Sequence, residues 1–260
     1  MTLSQVLNLY KEKGETPLER INRFKVDNPD YAKVKMTYAG RLDPLAEGVL
    51  LVLSGEEIKN KQDYLNLKKE YEAEVLFGFS TDSFDVLGII IDSSSRNEVA
   101  KAKGEFFTQD TLNKFTGKFL QKYPPFSSKT ISGKTLFAHA REGNLAEKDI
   151  PEKEVEIFSI EKTGFENISQ ERLRDKIIES IKMVKGDFRQ EEISRLWEES
   201  FKRSDIKEFP VLKIKVSCSS GTYIRTLAKN IGFKLFSIPS IALSIKRISV
   251  GKYFVDNSIK

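Results

Sequence analysis

Thr37 to Gly55 reads TYAGRLDPLAEGVLLVLSG: an apolar run, Val49 to Leu53, preceded by a loop that Gly40, Pro44 and Gly48 punctuate. Five successive apolar residues bounded by turn formers fit a strand buried on both faces, and such a strand has to lie inside a sheet. The loop ahead of it carries one acidic side chain, Asp43, with Arg41 close by. Asp before Pro is ordinary turn chemistry. By itself the pair says only that the chain bends there.

With 260 residues the chain can form one large domain or two modest ones, each with a core that needs no disulfide or metal. Cys218 is the one cysteine and His139 the one histidine, which excludes an internal disulfide and leaves no His/Cys cluster with metal-ligand spacing. A zinc enzyme is therefore not expected. Forty-three Lys and Arg against thirty-eight Asp and Glu, net +5, fit a polyanionic partner without requiring one. The N-terminus has no basic segment leading into an apolar core, and no run reaches the roughly 18 apolar residues of a membrane span. A soluble, reducing, cytoplasmic protein is expected.

Along the chain, Val6, Leu7 and Tyr10 stand at helix-like spacing over residues 4–11, and Leu18, Ile21 and Phe24 predict a second short helix. Tyr71, Ala73, Val75 and Phe77 alternate as a strand, which runs through the loop STDSFD and returns over Ile89 to Ile91. On periodicity alone Tyr71 is a core aromatic. Thr108 to Gln121 reads as a helix with Thr108 as N-cap and Leu112, Phe115, Phe119 and Leu120 on its apolar side. Then YPPFSSKTISGKTLFAHAREG gives an extended start, a basic loop with Lys129 and Lys134 about Gly133, and one or two helical turns from Leu136 to Arg141. Such a loop suits an RNA-contacting surface, and His139 within it reads as structural.

Val155, Ile157 and Ile160 suggest a further strand. From about Ser169 to Lys202 two charged amphipathic helices follow, marked by Leu173, Ile177, Ile181 and Val184, then by Ile193, Leu196, Trp197 and Phe201. This helical hairpin could cover the sheet or extend an RNA surface. Leu212, Ile214, Val216 and Cys218 alternate as a strand. Ser219 and Ser220 are cap candidates for the helix after Gly221, whose first turn holds Arg225. IALSIKRISVGKYF closes as strand, bend at Gly251 and strand.

GRLDPLAEGVLLV, KEYEAEVLFGFSTDSFD, YPPFSSKTISGKTLFAHAREG and CSSGTYIRTLAKNIG occur in the order seen in TruB-type tRNA pseudouridine synthases, and RISVGKYFV is similar to that family's last catalytic-domain strand. The resemblance runs from about Thr37 to Phe254. It implies an α+β pseudouridine synthase fold: a mixed, mainly antiparallel sheet with flanking helices and a central cleft. It also implies one catalytic domain over residues 1–260, with the helical hairpin as an insertion at about 165–208 and no C-terminal PUA-type RNA-binding domain.

By the same resemblance Asp43 matches the family's essential aspartate, Tyr71 the tyrosine that stacks on the target base, and Arg225 the arginine paired with the aspartate. Ile245 matches an aliphatic position packing against the base. Tyr38, Gly40, Arg41, Leu42, Lys129 and Lys134 are expected to contact substrate. The implied reaction breaks the C1′–N1 bond of a uridine, turns the uracil and joins C1′ to C5. A carboxylate can attack C1′ or take a proton from C2′, and the sequence leaves both routes open. Either route needs Asp43 ionised, which a neighbouring guanidinium favours.

No cofactor, metal or membrane is implied; the expected partner is tRNA, through uridine 55 of the T loop, and the protein is expected to be a monomer with no obligate protein partner. Where the family has a Lys-Pro pair and a Thr-Ser, this chain reads YKEKGETPLER, and Tyr38 stands in place of a histidine. Substrate contacts are therefore expected to differ. Another RNA target, or an RNA-binding or RNA-folding factor in which Asp43 is structural, are the alternatives. A glycosidase would usually need two catalytic carboxylates, and one is prominent here.

Overall fold

The structure is a computed structural model and describes residues 4–260, the Glu147 side chain excepted. In chain order the elements are β1 (Gln5–Lys11), α1 (Pro17–Asp27), β2 (Met36–Ala39), β3 (Ala46–Ser54), α2 (Lys61–Asn66), β4 (Lys69–Phe77), β5 (Phe79–Thr81) and β6 (Ile90–Ser93). Then come α3 (Arg96–Val99), α4 (Gln109–Asn113), β7 (Gly117–Lys122), β8 (Thr130–Ile131), β9 (Lys134–Thr135), α5 (Leu136–Arg141) and β10 (Glu152–Ser169). The chain ends with α6 (Gln170–Met183), α7 (Gln190–Arg203), β11 (Glu208–Cys218), α8 (Ile224–Phe236), β12 (Ser240–Val250) and β13 (Tyr253–Phe254).

The main sheet has the order β1-β3-β12-β4-β11-β10-β7 and is antiparallel except where β12 meets β3. Two strands share one edge of β3. β2 pairs with Leu51–Ser54, and β12 takes over at Ala46–Gly48. The chain leaves β2 at this fork, so the loop after Ala39 is delivered to the point where the sheet divides. Gly48 makes the close approach of β12 possible, because a Cβ there would lie 2.2 Å from the Arg247 carbonyl oxygen at a φ of +106°.

Helices cover both faces. On one, α8 packs Ile224, Leu227, Ala228 and Ile231 against Ala73, Val75, Phe77, Ile214 and Val216. On the other, the α6–α7 hairpin buries Leu173, Ile177, Ile193, Trp197 and Phe201 against Leu76, Phe79, Phe209 and Val211. Phe79 sits at its centre, edge-on to Trp197 at 4.9 Å and stacked on Phe209 at 5.1 Å. Helix α1 closes the β1–β3 end through Ile21 and Phe24.

Four expectations are corrected. In place of the helix expected over residues 4–11, Gln5–Lys11 form strand β1: Leu7, Leu9 and Lys11 are its buried side, and a buried lysine hid the two-residue period. The helix expected over Thr108–Gln121 stops at Asn113, and Gly117, at φ +88°, starts β7 on the sheet edge. Thr108 does cap α4. The strand about Val155 runs for 18 residues, because β10 must span both β7 and β11. Neither Ser219 nor Ser220 caps α8, whose N-cap is Tyr223; their hydroxyls bind Glu156 N and Leu65 O.

Candidate active site

Three buried cations set the loop Gly40–Leu45. Lys11 is wholly buried, and its ammonium donates to the carbonyls of Glu12 (3.0 Å), Pro44 (3.1 Å) and Ala46 (2.6 Å). Arg247 fills the fork in the sheet from the other side. It donates to the carbonyls of Val49 (2.7 Å), Gly40 (3.0 Å) and Arg41 (3.4 Å), groups that a divided sheet would otherwise leave unpaired. The third, Arg225, takes the Asp43 carboxylate itself: Nε donates to Oδ2 at 2.8 Å. Asp43 thus stands on a loop clamped at both ends, with its side chain 32% exposed to the cleft and its partner only 3% exposed.

Arg225 comes from the first turn of α8, and its other nitrogens tie down the opposite walls, Ser83 O at 2.6 Å and Phe126 O at 3.1 Å. A second carboxylate, Asp85, lies 3.7 Å from Nε. Burial pushes the Asp85 carboxyl up, against the pull of Arg225 and a hydrogen bond from Ser83. Burial also opposes the charge on Arg225, but Asp43 and then Asp85 outweigh it, and its pKa ends above the usual value. The guanidinium therefore stays charged and fully engaged.

Asp85 is held by a turn that costs backbone strain. Phe84 sits at φ +64°, with Lys229 over its ring at 4.3 Å, while Ser83 Oγ and Leu87 N donate to Asp85 Oδ1. Behind the turn, Trp197 of α7 donates its indole N–H to Val86 O at 3.1 Å. The helical hairpin is thereby coupled to the site. Its tip also reaches the cleft mouth: Arg189 lies 4.6 Å over Phe126 and pairs with Asp82 at 3.0 Å, and Asp187 pairs with Arg141 at 2.6 Å.

Asp43, Asp85, Arg225, Arg247, Phe126 and Arg189 line one cleft of about 510 Å³. Tyr71 projects into it from β4, buried, with its phenol pushed up chiefly by burial while Arg247 pulls the other way. Tyr223 lines it from the head of α8, raised to about 12 by burial and then by Asp43. Gln121 fixes Tyr223 through both backbone groups, accepting from N at 2.8 Å and donating to O at 3.1 Å. A carboxylate, a guanidinium paired with it, aromatic faces and an aliphatic side chain together suit a flat ring brought beside a nucleophile or base. Among the described residues no cluster of His, Cys, Asp and Glu could hold a metal, and no helix is long and apolar enough to cross a membrane.

Residues 29–186 match the model of the TruB family pseudouridylate synthase N-terminal domain. The chain belongs to the TruB family. Curated relatives of this TruB-family chain include a tRNA pseudouridine synthase B of Bacillus pumilus, 32% identical over 99% of this chain and 68% of the relative. Those of Thermosipho melanesiensis and Listeria innocua are each 30% identical, over 97% and 96% of this chain. The chain spans about two thirds of the length of these relatives. Two solved structures share the fold: a Cbf5-Nop10-Gar1 complex (TM-score 0.54, 17% identity) and an H/ACA RNP bound to a substrate RNA containing 2′-deoxyuridine (TM-score 0.52, 16% identity). They cover 97% and 98% of this chain and half of the matched chains. The architecture is the α+β pseudouridine synthase fold, as the motifs implied.

Of the residues singled out in the sequence, Asp43, Tyr71, Arg225, Gly40, Arg41, Leu42 and Ile245 all line the TruB-family cleft. Tyr38 does not; it packs beside the α1 core, with Lys61 5.6 Å over its ring. Lys129 and Lys134 also stand outside the lining, next to Ser128 and Thr135 that belong to it, and they engage Tyr123 and Glu142. Sequence reasoning missed Lys11, Asp85, Tyr223 and Arg247. A lysine closing an alternating strand and an acid before an apolar pair in STDSFDVL were the available signals.

Proposed function

We propose that this chain is an RNA-modifying isomerase that converts uridine 55 in the T loop of tRNA to pseudouridine. The observation that carries this reading is the Asp43–Arg225 pair held at 2.8 Å in a cleft that also contains Tyr71. Family membership and the tRNA pseudouridine synthase B names of its relatives support the substrate.

A uridine inside a folded loop has to be swung out before its sugar can be reached, and an aromatic face recovers part of the lost stacking, roughly 1–3 kcal/mol. Tyr71 supplies that face and Ile245 packs on the ring. The Asp43 carboxylate, held by Arg225, attacks C1′ or takes the C2′ proton, and the C1′–N1 bond breaks. The uracil turns and its C5 bonds to C1′ as the Asp43–C1′ ester bond breaks or, on the other route, as C2′ regains its proton; the C5 proton then leaves and N1 takes one up. No electrons are exchanged with an outside reagent, so the reaction calls for no cofactor.

Gly40, Arg41 and Leu42 shape the mouth of the pocket, Tyr38 flanks the loop from β2, and Lys129 and Lys134 meet phosphates along the rim. We read the protein as a cytoplasmic monomer acting on tRNA without an obligate protein partner. The test is to incubate it with a tRNA transcript and map pseudouridine by mass. Modification at position 55 is expected; a transcript left unmodified contradicts the reading, and modification confined to another RNA changes the substrate.

A further inference from the structure

Around Tyr71 the cleft carries two cations that, among the described residues, pair with no carboxylate. Lys69 precedes Tyr71 by two residues on β4, on the same side of the strand, and Arg247 is paired directly across from Tyr71 on β12. They are 4% and 1% exposed, and both line the cleft. Lys69 donates to the carbonyls of Leu65 and Leu67, each at 2.5 Å, and Arg247 to those of Val49, Gly40 and Arg41. Among the described residues neither makes an ion pair; of the carboxylates lining the cleft, Asp43 and Asp85 face Arg225 and Asp187 pairs with Arg141.

Carbonyl dipoles orient a charge without cancelling it. Lys69 and Arg247 therefore keep their full field in a partly water-excluded site, where it acts far more strongly than in bulk water. Burial, with Arg247 close by, brings the Lys69 ammonium down to about 8, as befits a cation lacking a counter-ion. Maintaining two such charges is unfavourable for the fold. Loop anchoring alone would be served as well by neutral donors.

The chemistry proposed above has one species that needs this field. When C1′–N1 breaks, the bonding electron pair stays on uracil N1 and spreads to O2 and O4. This holds whether a carboxylate oxygen of Asp43 bonds to C1′ or Asp43 takes the C2′ proton to leave a glycal. The detached uracil is an anion until its C5 bonds to C1′; the neutral C5-linked ring then loses the C5 proton as N1 gains one. We propose that Lys69, together with Arg247, stabilises the negative charge of the detached uracil while it lies against Tyr71. The inference rests on the pseudouridine synthase reading but not on the choice between its two routes.

The test is a leaving-group comparison. A tRNA transcript carrying uridine or 5-fluorouridine at the target position is converted under single-turnover conditions, and loss of the N-linked nucleoside is followed by mass after nuclease digestion. Fluorine makes the departing ring nitrogen less basic, so its anion needs less help. Lys69→Met should slow uridine about 100-fold and 5-fluorouridine about tenfold less than that, with RNA binding unchanged. Lys69→Arg should restore much of the uridine rate. Lys69→Gln keeps a donor for the Leu65 and Leu67 carbonyls while removing the charge, and carries the same comparison if the methionine variant unfolds. Equal slowing of both substrates, or a wild-type uridine rate, overturns the inference. A wild type that leaves uridine untouched removes the underlying reading, and the inference with it.

Discussion

Arg225 Nε meets Asp43 Oδ2 at 2.8 Å, yet the two residues reach each other from separate parts of the sheet: Asp43 from the fork beside β3, Arg225 from the head of α8. The guanidinium also binds the carbonyls of Ser83 and Phe126, so one side chain joins the Asp43 loop to two further walls of the cleft. Alignment of the carboxylate and integrity of the cleft are therefore one property.

Arg225→Met should accordingly lose both. Removing one partner of a buried pair costs about 3–5 kcal/mol, because the remaining charge is stranded, and here buried Asp85 loses the guanidinium 3.7 Å away. Turnover should fall at least about a hundredfold. Arg225→Lys should recover little, since a single ammonium cannot span Asp43, Ser83 O and Phe126 O. Urea unfolding with single-turnover kinetics checks this; a lysine variant at wild-type rate would show that charge alone suffices.

Lys11 makes stability depend on pH. Burial lowers its ammonium to about 8 in the folded protein, against about 10.5 in an unfolded chain. Between those values the unfolded state holds more protons, so this residue's contribution is fully present above 10.5 and is lost as pH falls through 8. Relative to Lys11→Met, wild-type stability should rise by up to about 3 kcal/mol from pH 7 to pH 10. Urea midpoints of both proteins across that range measure it. A constant difference would mean that Lys11 keeps its proton.

The strands of the central loop and sheet were legible in the sequence because their side chains alternate or run apolar, as in Tyr71 to Phe77 and Val49 to Leu53. Three residues that line the cleft, Asp43, Tyr71 and Arg225, could be brought together by motif. What stayed hidden depends on the fork in the sheet. Lys11 and Arg247 look like surface charges until β2 and β12 are seen to divide the edge of β3 and expose carbonyls that these long side chains reach. Helix periodicity failed at residues 4–11 and 117–121 for a related reason: both are edge strands of the main sheet, and sheet pairing overrode local pattern.

Trp197→Phe should show that the helical hairpin supports the site. It keeps most of the packing with Phe79 but leaves the Val86 carbonyl without its 3.1 Å partner, a cost of about 1–3 kcal/mol. Because that turn also holds Ser83 and Asp85, turnover should fall severalfold. Unchanged kinetics in a destabilised variant would separate the hairpin from catalysis.

Gly48→Ala should be among the most damaging small changes. Its Cβ would meet the Arg247 backbone rather than a yielding side-chain end, at a φ that alanine avoids, and the combined strain is about 2–5 kcal/mol. Thermal unfolding would reveal it. A wild-type melting temperature would mean that β3 and β12 can separate without loss.

The central claim is that the Asp43 carboxylate performs the chemistry. A tRNA transcript labelled with tritium at uridine C5 releases the label only when C5 bonds to C1′ and loses its proton. The account predicts that Asp43→Asn, an isostere that accepts from Arg225 but is neither nucleophile nor base, binds the transcript as wild type does and releases no tritium above background. Tritium release by that variant at a rate near wild type would contradict it.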